Sequence, residues 1–365
     1  MKTAIVHYWL VNMRGGEKVL ESLLELFPGA DIFTNVYDPA SVSTLISSRK
    51  VYTSSINRLP FAKKMYQKYM PLMPNALLEF NLQDYDLIIS SESGPAKGVI
   101  PNPNAYHLCY CHSPMRYLWD MYHEYFGNSG RINRFFMRNM IPGLRLWDIS
   151  SSNYVDRFVT NSNYVARRVL HAYNREATVV FPPVNIERYL EIPRKPEDFY
   201  LFFGQLTQYK RPDLAIEACI KYGRKIVVAG SGMKEGLKKK YKKSGLVSFL
   251  GKIQDEEIPA LFSRARALLF PGIEDFGIIP VEANAAGCPV IAYRRGGTLD
   301  TIFENKTGLF FDTQDIDSLT EAIRYFEENQ NLFEDRSVYT DHVKRFSKES
   351  FKEKIMDIIK ERKHI

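Results

Sequence analysis

Two glutamates and a predicted helix start lie together on one short segment in the second half of the chain. Residues 270–292 read FPGIEDFGIIPVEANAAGCPVIA: an apolar strand ends at a Pro-Gly pair, Glu274 follows in the loop, and Glu282 lies about one turn inside a helix. The first N–H groups of a helix have no partner within it and attract anions, while carboxylates accept hydrogen bonds from hydroxyls. The segment therefore has the chemistry to bind a phosphorylated sugar.

Other polar groups also follow predicted strands. Lys210 and Arg211 come after the strand YLFFG, where cations could neutralise a diphosphate; the alternative is two exposed surface charges. His112 ends the strand YHLCYC and could exchange a proton near neutral pH, although its spacing alone favours a structural histidine. Gly15 and Gly16 open the first helix, where they allow either close approach of an anion or a simple tight turn.

The patterns that could indicate a metal site are weaker. Asp84-Tyr-Asp86 directly precedes a strand and Asp315-Ile-Asp317 starts a helix, where aspartate is a usual cap, so both are interpreted as structural. Cys109 and Cys111 share a strand face but have no further ligands near them in sequence. With only four scattered cysteines, the sequence predicts neither a disulfide framework nor a metal centre.

The elements that must position these residues alternate between strands and helices along the whole chain. Strands are predicted at 4–8, 31–36, 87–91, 106–112, 157–162, 178–184, 200–204, 225–230, 247–251, 267–272, 289–293 and 309–311. This alternation predicts an α/β protein with parallel, doubly wound sheets, whose ligands bind beyond the carboxyl ends of the strands. A polar, proline-bearing stretch at 191–199 reads as a linker between an N-terminal domain, 1–192, and a C-terminal domain, 193–346. A basic amphipathic helix in 347–365 ends the chain.

Composition sets the broad class of protein. A length of 365 residues suggests about two domains, and 45% hydrophobic with 25% charged residues is ordinary for a globular protein. We see no apolar stretch long enough for a membrane span and no signal peptide, so a cytoplasmic location is expected.

Positive charge is concentrated in the first half of the chain. Residues 1–195 carry 22 Lys and Arg against 16 Asp and Glu, and residues 196–365 carry 27 against 26. Two segments, 58–74 and 131–145, each hold four cations, no acids and several large apolar residues. Such segments suit an anionic membrane surface, and a basic helix face over the core is an equal alternative. No nucleic-acid motif accompanies them, and the run LKKKYKK at 237–243 is interpreted as a solvated helix face.

Taken together, the motifs resemble a known family. The segments GGEKVLE (15–21), YCHSPMRYLWD (110–120), VTNSNYVARRV (159–169), VVFPPVNIERY (179–189), GQLTQYKRPDLAIEA (204–218) and EDFGIIPVEANAAGCPVIA (274–292) occur in the order and spacing of the retaining glycosyltransferases of family 4. The resemblance covers nearly the whole chain. It implies the GT-B architecture, in which two Rossmann-like domains face each other across a cleft, with the C-terminal helix packing back on the N-terminal domain.

The resemblance also implies a role for each candidate residue. Glu282 resembles the carboxylate that binds the ribose of a nucleotide, Lys210 the lysine that stabilises the diphosphate, and His112 the histidine close to the transferred sugar. Glu274 resembles the residue that holds the hydroxyls of that sugar. The remaining donor-binding residues implied by position are Gly16, Gln205, Arg211, Lys252, Ile253, Phe276, Gly277 and Ile278. Many members carry arginine at the position of Gln205, and Arg211 is a candidate to replace its charge. The family uses no metal or other cofactor.

The function implied is transfer of a sugar, with mannose from GDP-mannose favoured, to a lipid-linked glycan in bacterial surface polysaccharide biosynthesis. The expected location is peripheral, on the inner face of the cytoplasmic membrane, with no nucleic acid as partner. Three alternatives stay open: a UDP-sugar as donor, an epimerase or phosphorylase of the same fold, and a sugar-nucleotide-binding module without catalysis.

Overall fold

The chain forms two compact units. The computed structural model describes residues 1–127, 130–232 and 235–362, and for residues 132, 133, 136 and 235 the backbone only. Unit 1 comprises Met1–Pro183 with Lys352–Ile365, and unit 2 comprises Val184–Phe351. The domain boundary predicted from the sequence lies near residue 192, and the predicted start of the last helical segment is residue 347. The units divide instead after Pro183 and after Phe351.

Each unit is built on one parallel sheet. In unit 1 the strand order is β3-β2-β1-β4-β5-β6-β7, and in unit 2 it is β10-β9-β8-β11-β12-β13. In both sheets the order reverses beside the first strand of the unit, which is the doubly wound arrangement of a Rossmann-like domain. The strands are β1 Thr3–His7, β2 Asp31–Thr34, β3 Val51–Thr53, β4 Leu87–Glu92, β5 Tyr106–Cys111, β6 Arg157–Thr160, β7 Ala177–Val179, β8 Tyr200–Phe203, β9 Ile226–Ala229, β10 Val247–Gly251, β11 Leu268–Phe270, β12 Val290–Tyr293 and β13 Gly308–Phe311.

The helices connect these strands. They are α1 Gly15–Leu26, α2 Thr44–Ser47, α3 Ala62–Met65, α4 Met73–Leu77, α5 Tyr122–Gly127, α6 Arg131–Ser151, α7 Asn163–Tyr173, α8 Glu187–Leu190, α9 Pro212–Tyr222, α10 Glu235–Tyr241, α11 Ile258–Arg264, α12 Ile278–Ala285, α13 Thr298–Thr301, α14 Ile316–Glu328, α15 Arg336–Lys344 and α16 Lys348–Glu361. Within the described ranges, no helix is both long and apolar enough to cross a bilayer.

The sheets confirm the strand pattern read from the sequence, with one strand missed. All twelve predicted strands are present, and both sheets are parallel. Their central strands are buried on both faces, which is why they read as continuous apolar runs. The missed strand, β3, has three residues at the edge of its sheet and is half-exposed, so it lacks that apolar signal.

The last helix, α16, contacts elements of unit 1 through polar pairs. Lys352 lies 2.5 Å from a carboxylate oxygen of Glu25, and Glu361 accepts a 3.0 Å hydrogen bond from Arg157. The Arg362 guanidinium, just beyond the helix, donates to the backbone carbonyl of Asp86 at 2.9 Å. Residues far apart in sequence therefore complete the outer surface of unit 1.

Unit 1 also buries a cluster of three charged residues beneath the carboxyl ends of β4 and β5. Lys97, Glu92 and Asp148 are at most 1% exposed, and the Lys97 ammonium contacts the Asp148 carboxylate and lies 3.5 Å from Glu92. Trp119 and Tyr173 donate to the second oxygen of Asp148 at 2.8 and 3.0 Å. The cluster thus ties β4 to α6 and α7, and a buried cation is retained because it is paired.

Burial favours the neutral forms of both Glu92 and Lys97, which raises the pKa of a carboxyl group and lowers that of an ammonium group. Burial raises the pKa of the Glu92 carboxyl to about 7; the positive charge of Lys97 opposes this shift and the negative charge of Asp148 adds to it. Burial disfavours the charge of Lys97, but the two carboxylates outweigh it and raise the lysine pKa. Glu92 therefore holds a proton in the folded protein at pH values where the unfolded chain has released it.

This difference predicts a pH dependence of stability. The folded-state pKa is raised, so the contribution of Glu92 is present below its ordinary value of about 4.5 and is lost as pH rises towards about 7. Glu92→Gln, which is neutral throughout, should remove it: the free energy of unfolding of the wild type, relative to the variant, should fall by about 1 to 3 kcal/mol between pH 5 and pH 8. Urea unfolding at both pH values measures this difference.

The matched control is Glu176→Gln, which changes an exposed carboxylate of the same unit. Its stability relative to wild type should stay constant over that range. An equally constant difference for Glu92→Gln would contradict the predicted shift.

Candidate functional site

Glycines follow four neighbouring strands of unit 2 and bring their backbones unusually close. Gly204, Gly230 and Gly251 lie at the ends of β8, β9 and β10 with positive φ, at 137°, 135° and 73°. A Cβ atom on Gly230 would lie 1.7 Å from the carbonyl oxygen of Gly204. Gly272, after β11, leaves no room for a side chain either, since its Cβ would lie 2.7 Å from the Cα of Lys210. The backbones at the carboxyl edge of this sheet therefore pack directly on one another, with no side chains between them.

Lys210 and Glu274, two of the predicted site residues, meet at this edge. Lys210 follows β8 and Glu274 follows the adjacent β11; Lys210 Nζ and Glu274 Oε1 are 2.6 Å apart. The contact is an ion pair without the alignment of a hydrogen bond, and the two side chains are 13% and 21% exposed. Both side chains thus keep part of their surface exposed while each charge neutralises the other.

A second glycine pair fixes the loop that carries Glu274. The Gly297 N–H donates to the Glu274 carbonyl at 2.8 Å, and Gly296 has a φ of 86°. A Cβ on Gly297 would lie 2.3 Å from the Cα of Phe276. The loop after β12 therefore packs directly on residues 274–276 and holds them in front of α12.

Helix α12 begins at the predicted anion-binding position. Gly277 precedes its first residue, Ile278, with a φ of 90°, and Phe276 is buried with its ring against that of Phe346 at 5.6 Å. The N–H groups of the first helical residues have no partner within the helix, and the helix dipole adds positive potential there. At the other end, the Arg336 guanidinium donates to the carbonyl of Ala285 at 2.9 Å and secures the helix.

Glu282 lies on α12 with a hydrogen-bonding partner that the sequence did not indicate. Tyr189, at the end of α8, donates its hydroxyl to the Glu282 carboxylate. Burial raises the pKa of Glu282 to about 7, while this hydrogen bond and the charge of Arg188 oppose the shift. The carboxylate is thus oriented by one donor and keeps lone pairs for others.

The remaining candidates of unit 2 lie along the same edge. Gln205 packs beside Gly232 in the loop after β8, and Arg211 adopts a left-handed conformation with φ 53°. The Nε of Arg211 lies 3.3 Å from both carboxylate oxygens of Asp213, so this carboxylate already holds the predicted substitute cation. Lys252 is exposed and Ile253 half-buried after β10, three strands away from β11.

His112 and Gly16 lie together in unit 1. A Cβ on Gly16 would lie 3.6 Å from His112 Nε2 and 3.1 Å from the Tyr8 hydroxyl. A larger residue at position 16 would therefore contact both side chains. The backbone N–H of His112 donates to the backbone carbonyl of Glu92 at 2.7 Å, and the side-chain amide of Asn161 donates to the backbone carbonyl of His112 at 3.0 Å. The strand end therefore fixes the histidine backbone on both sides.

The aspartate and cysteine patterns serve structural roles. Asp315 caps α14 by accepting from the Ser318 N–H at 2.8 Å, and Asp86 accepts from the Lys2 N–H at 2.7 Å. Cys109 and Cys111 are buried. Among the residues described here, no three His, Cys, Asp or Glu side chains group closely enough to hold a metal ion.

Several residues of the site were missed from the sequence. Gly296 and Gly297 follow a strand as Gly15 and Gly16 do, so the same reasoning could have found them. Two others, Ser91 and Tyr189, depend on contacts between distant segments and left no local signal.

Comparison with known proteins finds a family match for part of the chain and structural likeness for nearly all of it. Residues 187–346 match the family described as "Glycosyl transferases group 1". The structure is similar to the Anabaena Alr3699/HepE protein in complex with UDP, with a TM-score of 0.70 at 15% identity over 99% of this chain and 100% of that one. It is also similar to WaaG, "a glycosyltransferase involved in lipopolysaccharide biosynthesis", with a TM-score of 0.67 at 16% identity over 98% and 99% of the two chains. At these identities the likeness establishes the fold.

Relatives in sequence match a smaller part of the chain. A D-inositol 3-phosphate glycosyltransferase of Mycobacterium avium is 28% identical over 46% of this chain and 45% of its own length. A GDP-mannose-dependent alpha-(1-6)-phosphatidylinositol monomannoside mannosyltransferase of Mycolicibacterium smegmatis is 30% identical over 36% of this chain and 35% of its own length. The matches span less than half the length of these relatives.

The predicted fold class is confirmed: the chain consists of two Rossmann-like domains and has structural neighbours of the GT-B class. Within its second unit, residues 187–346 match the group 1 glycosyltransferase family, in line with the family resemblance of the motifs.

The contact between Gly297 and Phe276 can be tested through stability. Gly297→Ala inserts a methyl group 2.3 Å from a backbone atom, so one of the two loops must move. We expect the free energy of unfolding to fall by about 1 to 3 kcal/mol in urea denaturation, as for other overpacked sites. Gly236→Ala is the control, because Gly236 lies in helix α10 and a Cβ atom there would meet nothing within 4 Å. The control should be as stable as wild type or up to about 1 kcal/mol more stable; equal effects of the two substitutions would refute the packing argument.

Proposed function

We propose that this protein is a retaining glycosyltransferase that transfers mannose from GDP-mannose to a lipid-linked glycan acceptor in bacterial surface polysaccharide biosynthesis. The observation that carries the proposal is the 2.6 Å contact between Lys210 and Glu274, on adjacent strand ends in front of α12. This contact supports the proposal, because transfer from a nucleotide sugar needs a cation for the leaving diphosphate next to a carboxylate for the hydroxyls of the sugar. These two groups are adjacent in a nucleotide sugar.

The chemistry of transfer matches this arrangement. Cleavage of the anomeric bond leaves negative charge on the nucleoside diphosphate, which Lys210 and the N-terminal dipole of α12 stabilise. Glu282, oriented by Tyr189, accepts hydrogen bonds from the ribose hydroxyls. His112 contacts the transferred sugar, as the family resemblance implies, and the reaction proceeds without a metal. Retention of anomeric configuration follows from the same resemblance.

Mannose is favoured as the transferred sugar on the basis of relatives named for GDP-mannose dependence. A UDP-sugar is the second candidate, because solved structures of the same fold contain UDP or UDP-glucose. The family resemblance implies that the base lies near Lys252 and Ile253 and is contacted mainly by backbone groups, so that side chains give little discrimination between the two bases.

The test is transfer from GDP-mannose and from UDP-glucose to a lipid-linked acceptor, measured for Lys210→Met and Glu274→Gln. Each variant removes one charge of the pair at nearly constant shape and should lower the transfer rate at least about 100-fold, the usual effect of removing one electrostatic contact to a transition state. Lys242→Met and Glu256→Gln remove equivalent exposed charges of the same unit and should transfer at the wild-type rate.

The products distinguish the proposal from its alternatives. A sugar nucleotide altered without acceptor would indicate an epimerase or phosphorylase, and thermal stabilisation by nucleotide without turnover would indicate a binding module. Wild-type transfer by both variants would overturn the assignment of the site.

We further propose that unit 1 binds the anionic inner face of the cytoplasmic membrane through the two basic segments. Phe61 is 72% exposed and has a φ of 55°, an uncommon conformation for a bulky side chain, beside exposed Lys64 and Lys68. On α6, Phe135 and Leu146 are 67% and 71% exposed on the same helix as exposed arginines. The helices at the ends of the two segments share a core cluster, because Leu77 of α4 and Trp147 of α6, just beyond the segments, pack in it.

Vesicle sedimentation tests this surface. The protein should bind vesicles containing phosphatidylglycerol and should be released by salt, since the attraction is screened. Lys64→Gln with Lys68→Gln should weaken binding about tenfold or more, at about 1 kcal/mol for each cation near the surface. The control, Lys242→Gln with Lys243→Gln, removes the same charge from the run interpreted as a solvated face and should bind as wild type. Equal loss in both pairs would mean that net charge alone drives binding.

A further inference from the structure

A continuous row of polar side chains joins His112 to a buried glutamate of unit 1. His112 Nε2 lies 3.0 Å from Ser91 Oγ, and this oxygen lies 3.2 Å from His7 Nδ1. The other nitrogen of His7, Nε2, lies 3.7 Å from Glu17 Oε1, an electrostatic contact that is longer than a hydrogen bond. His7, Ser91 and Glu17 are all at most 1% exposed, so water does not compete for these contacts. The row crosses the adjacent ends of β1, β4 and β5 and ends on α1.

The glutamate end of this row carries a negative charge. Burial opposes ionisation of Glu17, but the contact with His7 and the backbone N–H groups of α1 outweigh it and hold its pKa below the ordinary value. One of these donors is the backbone N–H of Arg14, which precedes the helix and lies 2.8 Å from Oε2. Oε1 is therefore the oxygen that faces His7.

These contacts impose a direction on the row. A carboxylate can only accept, so the electrostatic contact with Glu17 favours, for neutral His7, the tautomer with the proton on Nε2, which leaves Nδ1 as an acceptor. Ser91 then donates its hydroxyl proton to His7 and, having no second proton, must accept from His112. We infer that Glu17, His7 and Ser91 are positioning residues that hold neutral His112 in the tautomer with the proton on Nε2, so that Nδ1 is its basic nitrogen.

The catalytic meaning of this tautomer rests on the proposed function, whereas the protonation pattern itself does not. A histidine near a reacting sugar can accept a proton only at the nitrogen that lacks one, and a wrong tautomer lowers the rate of an enzyme even when its geometry is intact. The measurement below would thus support or overturn the inference even if the chain transferred no sugar.

The test is the ¹⁵N spectrum of the histidine side chains in the full chain at pH 8, above the ordinary pKa of histidine of about 6.5. His112→Gln assigns the signals by their loss. In the wild type we expect a protonated Nε2 and an unprotonated Nδ1 for His112. A majority of the Nδ1–H tautomer, or protonation of both nitrogens, would overturn the inference.

Glu17→Gln should reverse the tautomer. The Arg14 N–H selects the oxygen of the new amide, so the NH₂ group turns to His7 and donates to its Nε2. His7 then carries its proton on Nδ1, Ser91 accepts from it and donates to His112, and the majority form of His112 becomes Nδ1–H. Glu21→Gln, on the same helix and paired with Lys18 instead, is the control and should leave the spectrum of His112 unchanged.

Ser91→Ala gives an independent check that does not rely on the folding of the Glu17 variant. Loss of the hydroxyl removes the acceptor of His112 Nε2–H, and the signals should shift from the Nε2–H form towards a mixture of the two tautomers. An unchanged His112 spectrum in a folded Ser91→Ala or Glu17→Gln protein would show that the row does not set the tautomer, whatever the transfer activity of that protein.

Discussion

Close approach of backbones at strand ends is the constraint on which the candidate site depends. A Cβ atom on Gly272 would lie only 2.7 Å from the Cα of Lys210. Likewise, a Cβ atom on Gly297 would lie 2.3 Å from the Cα of Phe276, in the loop that carries Glu274. Side chains at either position would push the loops apart. The 2.6 Å distance between Lys210 and Glu274 is therefore a consequence of where side chains are absent.

In both units, buried ionisable groups lie beside opposite charges or hydrogen-bond donors, which decide whether they stay charged. In unit 1, Lys97 is wholly buried and stable as a cation because two carboxylates lie beside it. Although burial opposes it, the pKa of Glu17 is held below its ordinary value because His7 lies beside the carboxylate and backbone N–H groups at the start of α1 donate to it. In unit 2, Glu282 has one donor, Tyr189, and burial raises its pKa to about 7. The difference reflects the number of donors around each carboxylate, and a carboxylate with fewer donors retains more capacity to bind a ligand.

How far the sequence predicted this arrangement depends on the range of the interactions. The parallel sheets followed from apolar runs alternating with amphipathic helices, and the residues after each strand followed from the rule for open α/β sheets. Lys210 and Glu274 were found because each carries its chemistry at a strand end. The role suggested for Arg211 was incomplete, because its contact with Asp213 depends on a left-handed backbone that its own sequence does not indicate. The edge strand β3 was missed because its short, half-exposed sequence carries no apolar pattern.

The sequence by itself determined the fold class, the order of the elements and the strand ends at which chemistry is possible, because these depend on local periodicity and on residue type. Only the tertiary structure decided which of these groups touch. It paired Lys210 with Glu274 and Tyr189 with Glu282, and it joined Glu17, His7, Ser91 and His112 into one row. Each of these contacts spans segments distant in sequence, apart from Glu17 with His7. They form only when sheet register and glycine packing bring the segments together, and no local pattern encodes that register.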